Sequence, residues 1–327
     1  MSHAWHLVRR PRGMPVAEDF ALRPVELPPL GDGMLRVANR WLSVDPYMRG
    51  RMNDAKSYAA PFDLDAPMQG GAIGEVIESR APGFAPGELV LHFQGWRDAA
   101  VLTAGEAQKL PPIAVDPQAF LGQFGMPGMT AWFGLFDVAS AQPGDTVFVS
   151  AAAGAVGSTV VQLAKARGMT VIGSAGGADK CAWVRAIGAD AVIDYKSGTS
   201  VLDQLNAAAP EGIDVYFDNV GGEHLDAALA TARLNARFAE CGMIEMYNTG
   251  AAMPLRYAFR IVGMRIRIKG FIVSDFMDRA GEFYAGMAEL APTLKRQETV
   301  VEGLDNMPQA FLGLFSGANM GKMLVRV

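Results

Sequence analysis

Hydrophobic and polar positions along the chain fall into two textures. From residue 1 to about 118 the apolar positions come in short runs cut by Gly and Pro turns, as in MLRVANRWLSV at 34–44, GGAIGEVIES at 70–79 and ELVLHF at 88–93. Such punctuated runs predict strands. The segment APGFAPGELV at 81–90 reads as turn then strand, the pattern of a compact barrel's mouth. From about 119 the texture changes. TVFVS at 146–150 predicts a buried strand, Ser158 to Arg167 a helix ended by Gly168, and MTVIGSA at 169–175 a second strand. ADKCAWVRAIG at 178–188, AVIDY at 191–195 and DVYFDNV at 214–220 continue the alternation, which implies a parallel sheet with helices on both faces. MGKMLVRV at 320–327 ends in an apolar strand expected to return to the first domain. The expected plan is therefore an α/β chain with a β-barrel domain over 1–118, a doubly wound parallel-sheet domain over 119–286, and a return segment over 287–327.

One motif stands where that sheet would bind a ligand. AAAGAVG at 151–157 lies between strand TVFVS and a helix, with Ala152, Gly154 and Gly157 at the three positions of a dinucleotide fingerprint. Gly154 lets backbone approach a pyrophosphate, Ala155 and Val156 complete the turn, and Gly157 allows tight helix-to-strand packing. The free N–H groups that open the helix attract the anion. One strand later, a site for NADH usually carries a carboxylate for the ribose hydroxyls. Here GSAGGADK offers no acid at the strand end, and Lys180 follows. Asp179 fits the start of the next helix, where a carboxylate suits the dipole. Lys180, with Tyr195 at the end of the next strand, points to the 2′-phosphate of NADPH.

Composition narrows the remaining classes. A chain of 327 residues exceeds a single core, and 50% apolar with 19% charged residues suits a large globular protein. The net charge of −5 gives no general field for nucleic acid or anionic membrane. The start MSHAWHLVRRPRG lacks the apolar core of a signal peptide, and no run of about 18 apolar residues occurs, so a cytoplasmic protein is expected. Cys181 and Cys241 lie 60 positions apart, and His3, His6, His92 and His224 are scattered. No metal-ligand spacing links them, and no metal is expected.

The chain resembles the zinc-independent medium-chain dehydrogenases/reductases, in the branch of leukotriene hydroxydehydrogenase/prostaglandin reductases, plant alkenal double-bond reductases and bacterial curcumin reductase. The blocks that carry the resemblance are SVDPYMRGRM at 43–52, GGAIGEVIES at 70–79, GMPGMTAWFGL at 125–135, AAAGAVGS at 151–158, FDNVGGEHLD at 217–226, CGMIEMYN at 241–248, FIVSDF at 271–276 and GANMGKMLVRV at 317–327. Where zinc alcohol dehydrogenases have a Gly-His-Glu run, this chain has Gly70, Gly71 and Ala72. The resemblance implies a GroES-like β-barrel domain and a Rossmann domain, with NADPH in the cleft between them, and a homodimer. It implies Met126 and Thr130 near the nicotinamide and Gly154 to Gly157 at the pyrophosphate. Ser174, Lys180 and Tyr195 would surround the 2′-phosphate, and Asn219, Cys241, Tyr247, Phe271, Ile272, Val273 and Asn319 would complete the cradle.

The implied reaction is reduction of a carbon–carbon double bond conjugated to a ketone or aldehyde. Hydride reaches the β-carbon, and the negative charge that collects on the carbonyl oxygen needs a fixed hydrogen-bond donor. Tyr247 and Tyr47 are the candidates, each a phenol that is neutral at pH 7. A tyrosine in such a block also serves as packing. Asp45, Arg49 and Arg51 read first as ion pairs that hold the SVDPYMRGRM loop; Trp132 and Phe133 read as helix core. A quinone reductase of the same superfamily, or an NADPH-binding protein without turnover, are the alternatives.

Overall fold

The computed structural model describes residues 1–250 and 252–327. The chain divides into two compact units, one comprising Met1–Leu121 with Glu298–Val327, the other Gly122–Gln297.

The first unit is built on strands. β1 (Ser2–Leu7) and β2 (Phe20–Val25) form an antiparallel pair. β3 (Met34–Ser43) alternates partly exposed and buried positions along most of its length, and so presents one apolar face. It pairs antiparallel with β4 (Ala72–Ser79), which continues to β5 (Leu89–His92) and β7 (Gln108–Lys109), and also with β6 (Ala99–Thr103). The last segments of the chain complete this sheet: β14 (Glu298–Glu302) lies parallel to β15 (Lys322–Arg326), and β15 runs antiparallel to β3. Between β3 and β4 stands the short helix α1 (Met48–Arg51). Trp96, Met48 and Phe20 pack with Phe311 of α9 (Met307–Ser316) into one apolar core.

The second unit is a six-stranded sheet. In it are β8 (Thr146–Val149), β9 (Thr170–Ala175), β10 (Ala191–Asp194), β11 (Ile213–Asp218), β12 (Ala232–Glu240) and β13 (Arg267–Gly270), all parallel. Their order across the sheet is β10-β9-β8-β11-β12-β13. Helices α2 (Met126–Phe133), α3 (Ala155–Ala166), α4 (Ala178–Ala186), α5 (Val201–Ala208), α6 (Gly222–Thr231), α7 (Arg260–Gly263) and α8 (Ala280–Leu290) belong to the same unit. Val147, Phe148 and Val149 of β8 and Val215, Tyr216 and Phe217 of β11 are all fully enclosed, which explains why these strands read as apolar runs without alternation. The strand order reverses between β8 and β11, so the chain leaves the sheet in opposite directions there and opens a crevice at the carboxyl ends. No helix among the described residues is long and apolar enough to cross a membrane.

A buried ion pair fastens the return segment. Lys322 on β15 donates to the Val44 carbonyl at 2.7 Å and to Asp45 Oδ1 at 2.9 Å, while Ser43 Oγ donates to Asp45 Oδ2. Both charges are enclosed, so removing one strands the other in an apolar setting. Lys322→Ala is therefore expected to destabilise the first unit by about 3–5 kcal/mol. Urea denaturation followed by tryptophan fluorescence checks this, and a loss below about 1 kcal/mol would mean that water reaches Asp45.

Candidate functional site

The crevice is built first by the turn after β8. Ala151 adopts φ 47°, a left-handed conformation that reverses the chain sharply, and Gly154 caps α3 in an extended conformation. The helix begins at Ala155, earlier than the Ser158 expected from the sequence, because Gly154 takes the capping position and frees the next three residues to coil. Ala155, Val156 and Gly157 thus carry the N–H groups that have no carbonyl one turn back, at the positive end of the helix dipole. Gly157 packs against this turn rather than against the strand: a Cβ there would lie 2.4 Å from the Ala151 carbonyl oxygen and 2.9 Å from Ala152 Cα. Ala152 is fully buried and its N–H donates to the Ser174 carbonyl on β9 at 2.8 Å. The turn leaves these N–H groups clear of side chains, an arrangement that suits an anion.

At the end of β9 stand Ala175, Gly176 and Gly177, with no acid among them. Lys180 lies in the first turn of α4, half-buried; its burial and the nearby Lys196 both lower its pKa. Tyr195 lies across Gly176, where a Cβ would come within 2.6 Å of the phenol oxygen. Burial, with Asp194 and Cys181, raises that phenol, so it remains a donor at neutral pH. Asp194 is engaged with backbone. Its Oδ1 accepts the Gly177 and Lys196 backbone N–H groups, each at 2.9 Å, and these bonds lower its pKa. Ser174, expected at the 2′-phosphate, is fully enclosed with its hydroxyl 2.8 Å from His224 Nε2. Lys196, just past the end of β10, is the charge that acts on Lys180.

Across the switch in strand order lies the third part. Asn219 follows β11, and its side-chain amide donates to the Ser150 carbonyl at 2.8 Å while its backbone N–H donates to Ser150 Oγ at 2.8 Å. The Cys241 and Gly242 N–H groups both donate to the Asp218 carbonyl. Burial, reinforced by Asp218 and Glu240, pushes the Cys241 thiol up to about 12, which leaves it a neutral apolar wall. Glu240, Cys241, Gly242, Met243, Phe271 and Ile272 line a cavity of about 380 Å³. Phe271 turns its ring into the core against Phe217 and Phe276, so its backbone faces the cavity with Ile272 and the start of the 3₁₀ turn at Val273. Tyr247 folds back over Gly242, whose Cβ would stand 2.9 Å from the phenol oxygen. Met126 opens α2 partly exposed, and Thr130 is back-bonded to the Met126 carbonyl at 2.8 Å.

Tyr47 and Asn319 belong to the first unit. The Tyr47 ring stacks on Phe93, and its hydroxyl is enclosed with no hydrogen-bond partner among the described residues. Burial, then Asp45, hold that phenol well above its usual range. Asn319 donates to the Gly321 carbonyl at 2.9 Å. The charges of the SVDPYMRGRM block hold their own loop: Arg49 donates to Asn53 Oδ1 and the Gly13 carbonyl, and Arg51 to the Ala60 carbonyl. His92 is likewise internal, hydrogen-bonded to Asn39 and kept neutral by burial, which lowers it to about 3.

Known proteins place this arrangement. Residues 3–110 match a family model described as the N-terminal domain of oxidoreductase, and residues 155–291 one described as zinc-binding dehydrogenase. Among the described residues no group of three or more His, Cys, Asp or Glu side chains could hold a metal ion. The NADPH-dependent curcumin reductase of Escherichia coli (strain K12) is 39% identical over 99% of this chain and 96% of its own. Prostaglandin reductase 1 of Bos taurus is 38% identical over the whole of both chains. A crystal structure of CurA from Vibrio vulnificus in complex with NADPH superposes with a TM-score of 0.94 at 41% identity, covering 99% of each chain. The first unit is thus a GroES-like β domain, the second a Rossmann domain, and the chain belongs to the zinc-independent medium-chain dehydrogenase/reductase family, in the branch of the prostaglandin and curcumin reductases.

Proposed function

We propose that the protein is an NADPH-dependent reductase of carbon–carbon double bonds conjugated to a ketone or aldehyde, working without zinc in the cytoplasm. The observation that carries the reading is the second unit's crevice, where a phosphate cradle opens α3 and two lysines with a tyrosine replace the acid that would favour NADH. When bound, NADPH supplies the hydride that adds to the β-carbon. The chain's own residues bind and orient. The N–H groups of Ala155 to Gly157 hold the pyrophosphate, Lys180, Lys196 and Tyr195 the 2′-phosphate, and the neutral walls at Cys241, Phe271 and Ile272 exclude water from the ring.

Addition of hydride leaves negative charge on the carbonyl oxygen. A phenol hydroxyl lowers the energy of that charge by donating a hydrogen bond placed before the reaction begins. Tyr247 and Tyr47 are the donors proposed. The Tyr47 hydroxyl, enclosed and unpartnered, is a donor already stripped of water.

The function is tested by NADPH oxidation with an enone, a simple quinone and no acceptor. Enone turnover well above the other two is expected; preference for the quinone favours the quinone reductase, and no turnover favours a binding protein. In the same assay Lys180→Ala should raise the KM for NADPH by roughly tenfold and leave that for NADH nearly unchanged.

Tyr247→Phe and Tyr47→Phe keep ring packing and remove the donor. Each is expected to lower single-turnover reduction of a saturating enone by about tenfold to a hundredfold with NADPH affinity intact. An unchanged rate removes that tyrosine from the chemistry.

We also infer a homodimer. β13 ends the Rossmann sheet, pairs only with β12, and exposes all four of its residues, so its outer edge carries unpaired backbone groups. Phe259 and Val262, 73% and 83% exposed, stand just before it. A second copy related by a two-fold axis supplies both an edge and an apolar face. Phe259→Glu with Val262→Glu should turn a dimer into a folded monomer in sedimentation velocity; an unaltered dimer would place the interface elsewhere.

A further inference from the structure

Beneath the cavity two carboxyl groups face each other without a cation. Asp218 ends β11 and stands opposite Glu240, the last residue of β12. Asp218 Oδ1 accepts four hydrogen bonds, from Tyr216 Oη at 2.6 Å, Ser150 Oγ at 3.0 Å, Val220 N at 2.8 Å and Gly221 N at 2.9 Å. Asp218 Oδ2 and both Glu240 oxygens are enclosed, and no donor among the described residues reaches them. Two acceptors pressed together in this way are satisfied only when one of them carries a proton.

The surrounding charges do not relieve them. Glu240 interacts with Asp218, Tyr216 and Cys241, and Asp275 lines the same cavity; Asp218 also faces Glu245, another acid, and His224, whose burial lowers its pKa and so keeps it neutral. On its own strand Arg237 is paired with Asp145. From β13, Arg267 turns to Ser140 and the Val138 carbonyl, and Lys269 is opposite Ala239, on the other face of the sheet from Glu240.

We propose that Glu240 and Asp218 share one proton, and that this proton makes the site favour the reduced over the oxidised cofactor. The proposal rests on the reading above, which assigns the nicotinamide to the cavity that Glu240 lines. The ring of NADP⁺ bears a positive charge that the ring of NADPH lacks, and the two cofactors are otherwise alike. A neutral Glu240 gives the cationic ring no added attraction; an ionised Glu240 does. Glu240 is thus a specificity-determining residue for the redox state of the cofactor, and it keeps the oxidised product from lingering.

The sign follows from the acid. Burial, then Asp218, raise the Glu240 carboxyl to about 9, so it is neutral below that pH and charged above it. The advantage of NADPH over NADP⁺ should therefore hold at neutral pH and shrink as pH passes about 9. Cys241 titrates near 12 and Tyr216 well above the usual phenol range, outside this window. Lys180 and Tyr195 act on the 2′-phosphate that both cofactors share, so they cancel in the ratio of the two dissociation constants.

The test measures Kd for NADPH and for NADP⁺ by calorimetry from neutral pH to about pH 10, for wild type and Glu240→Gln. Glutamine keeps the shape and can donate to Asp218 Oδ2 but does not titrate. In the wild type the ratio of Kd for NADP⁺ to Kd for NADPH should fall by about tenfold across the range; in Glu240→Gln it should stay level. A flat ratio in the wild type, or the same fall in the variant, overturns the proposal alone, whereas failure of NADPH to bind at neutral pH overturns the cofactor reading with it. An infrared titration of the wild type needs no variant: the carbonyl band of a protonated carboxylic acid should be present at neutral pH and vanish near 9. Its absence at neutral pH would sink the shared proton.

Discussion

The crevice depends on one carboxylate oxygen. Asp218 Oδ1 draws together Tyr216 on its own strand, Ser150 from the turn after β8, and the backbone of Val220 and Gly221 ahead of α6. These groups come from both sides of the point where strand order reverses, the place where a parallel sheet would otherwise splay. The Asp218 carbonyl takes two more N–H groups, from Cys241 and Gly242, and so ties in the end of β12. The phosphate cradle, the Asn219 turn and the cavity wall are each held by a bond to Asp218, or to Ser150, which is itself bonded to Asp218. A network this enclosed is strong because every donor in it is satisfied, and costly to break for the same reason.

Charge in this molecule is mostly spent on holding backbone. Asp194 spends its carboxylate on two backbone amides, Lys322 and Asp45 pin the return strand, and Arg49 and Arg51 hold the loop before β4. At the cavity, by contrast, burial keeps the Cys241 thiol and the Glu240 carboxyl neutral. A site without a metal must place charge stabilisation in hydrogen-bond donors alone, and neutral walls let such donors act in a low dielectric.

Much of this was legible in the sequence where the signal is local. The strand TVFVS, the glycine turn and the following helix read directly, since each is set by neighbours within a few positions. The place of Lys180 in the first turn of α4 was legible for the same reason. The start of α3 was not, because Gly154 and Gly157 are poor helix residues that tertiary packing overrides. The contact of the Ser174 hydroxyl with His224 is not legible there, since a strand buried on both faces gives no alternation to tell inside from out. The setting of Glu240 is not legible because it lies in strand register. Glu240 acquires a perturbed proton only by standing beside Asp218, 22 positions earlier in the chain.

The route of the chain also sets an order of assembly. The Rossmann unit is one uninterrupted stretch, Gly122–Gln297, whereas β3 receives its neighbour β15 from about 280 positions later. During synthesis the second unit can fold as soon as it has left the ribosome. In the first unit the end of β3, Trp41 to Ser43, stays unpaired on one flank until β15 emerges. That end of β3 is therefore open to mispairing until β15 is made, and the arrival of Lys322 at Asp45 closes that interval.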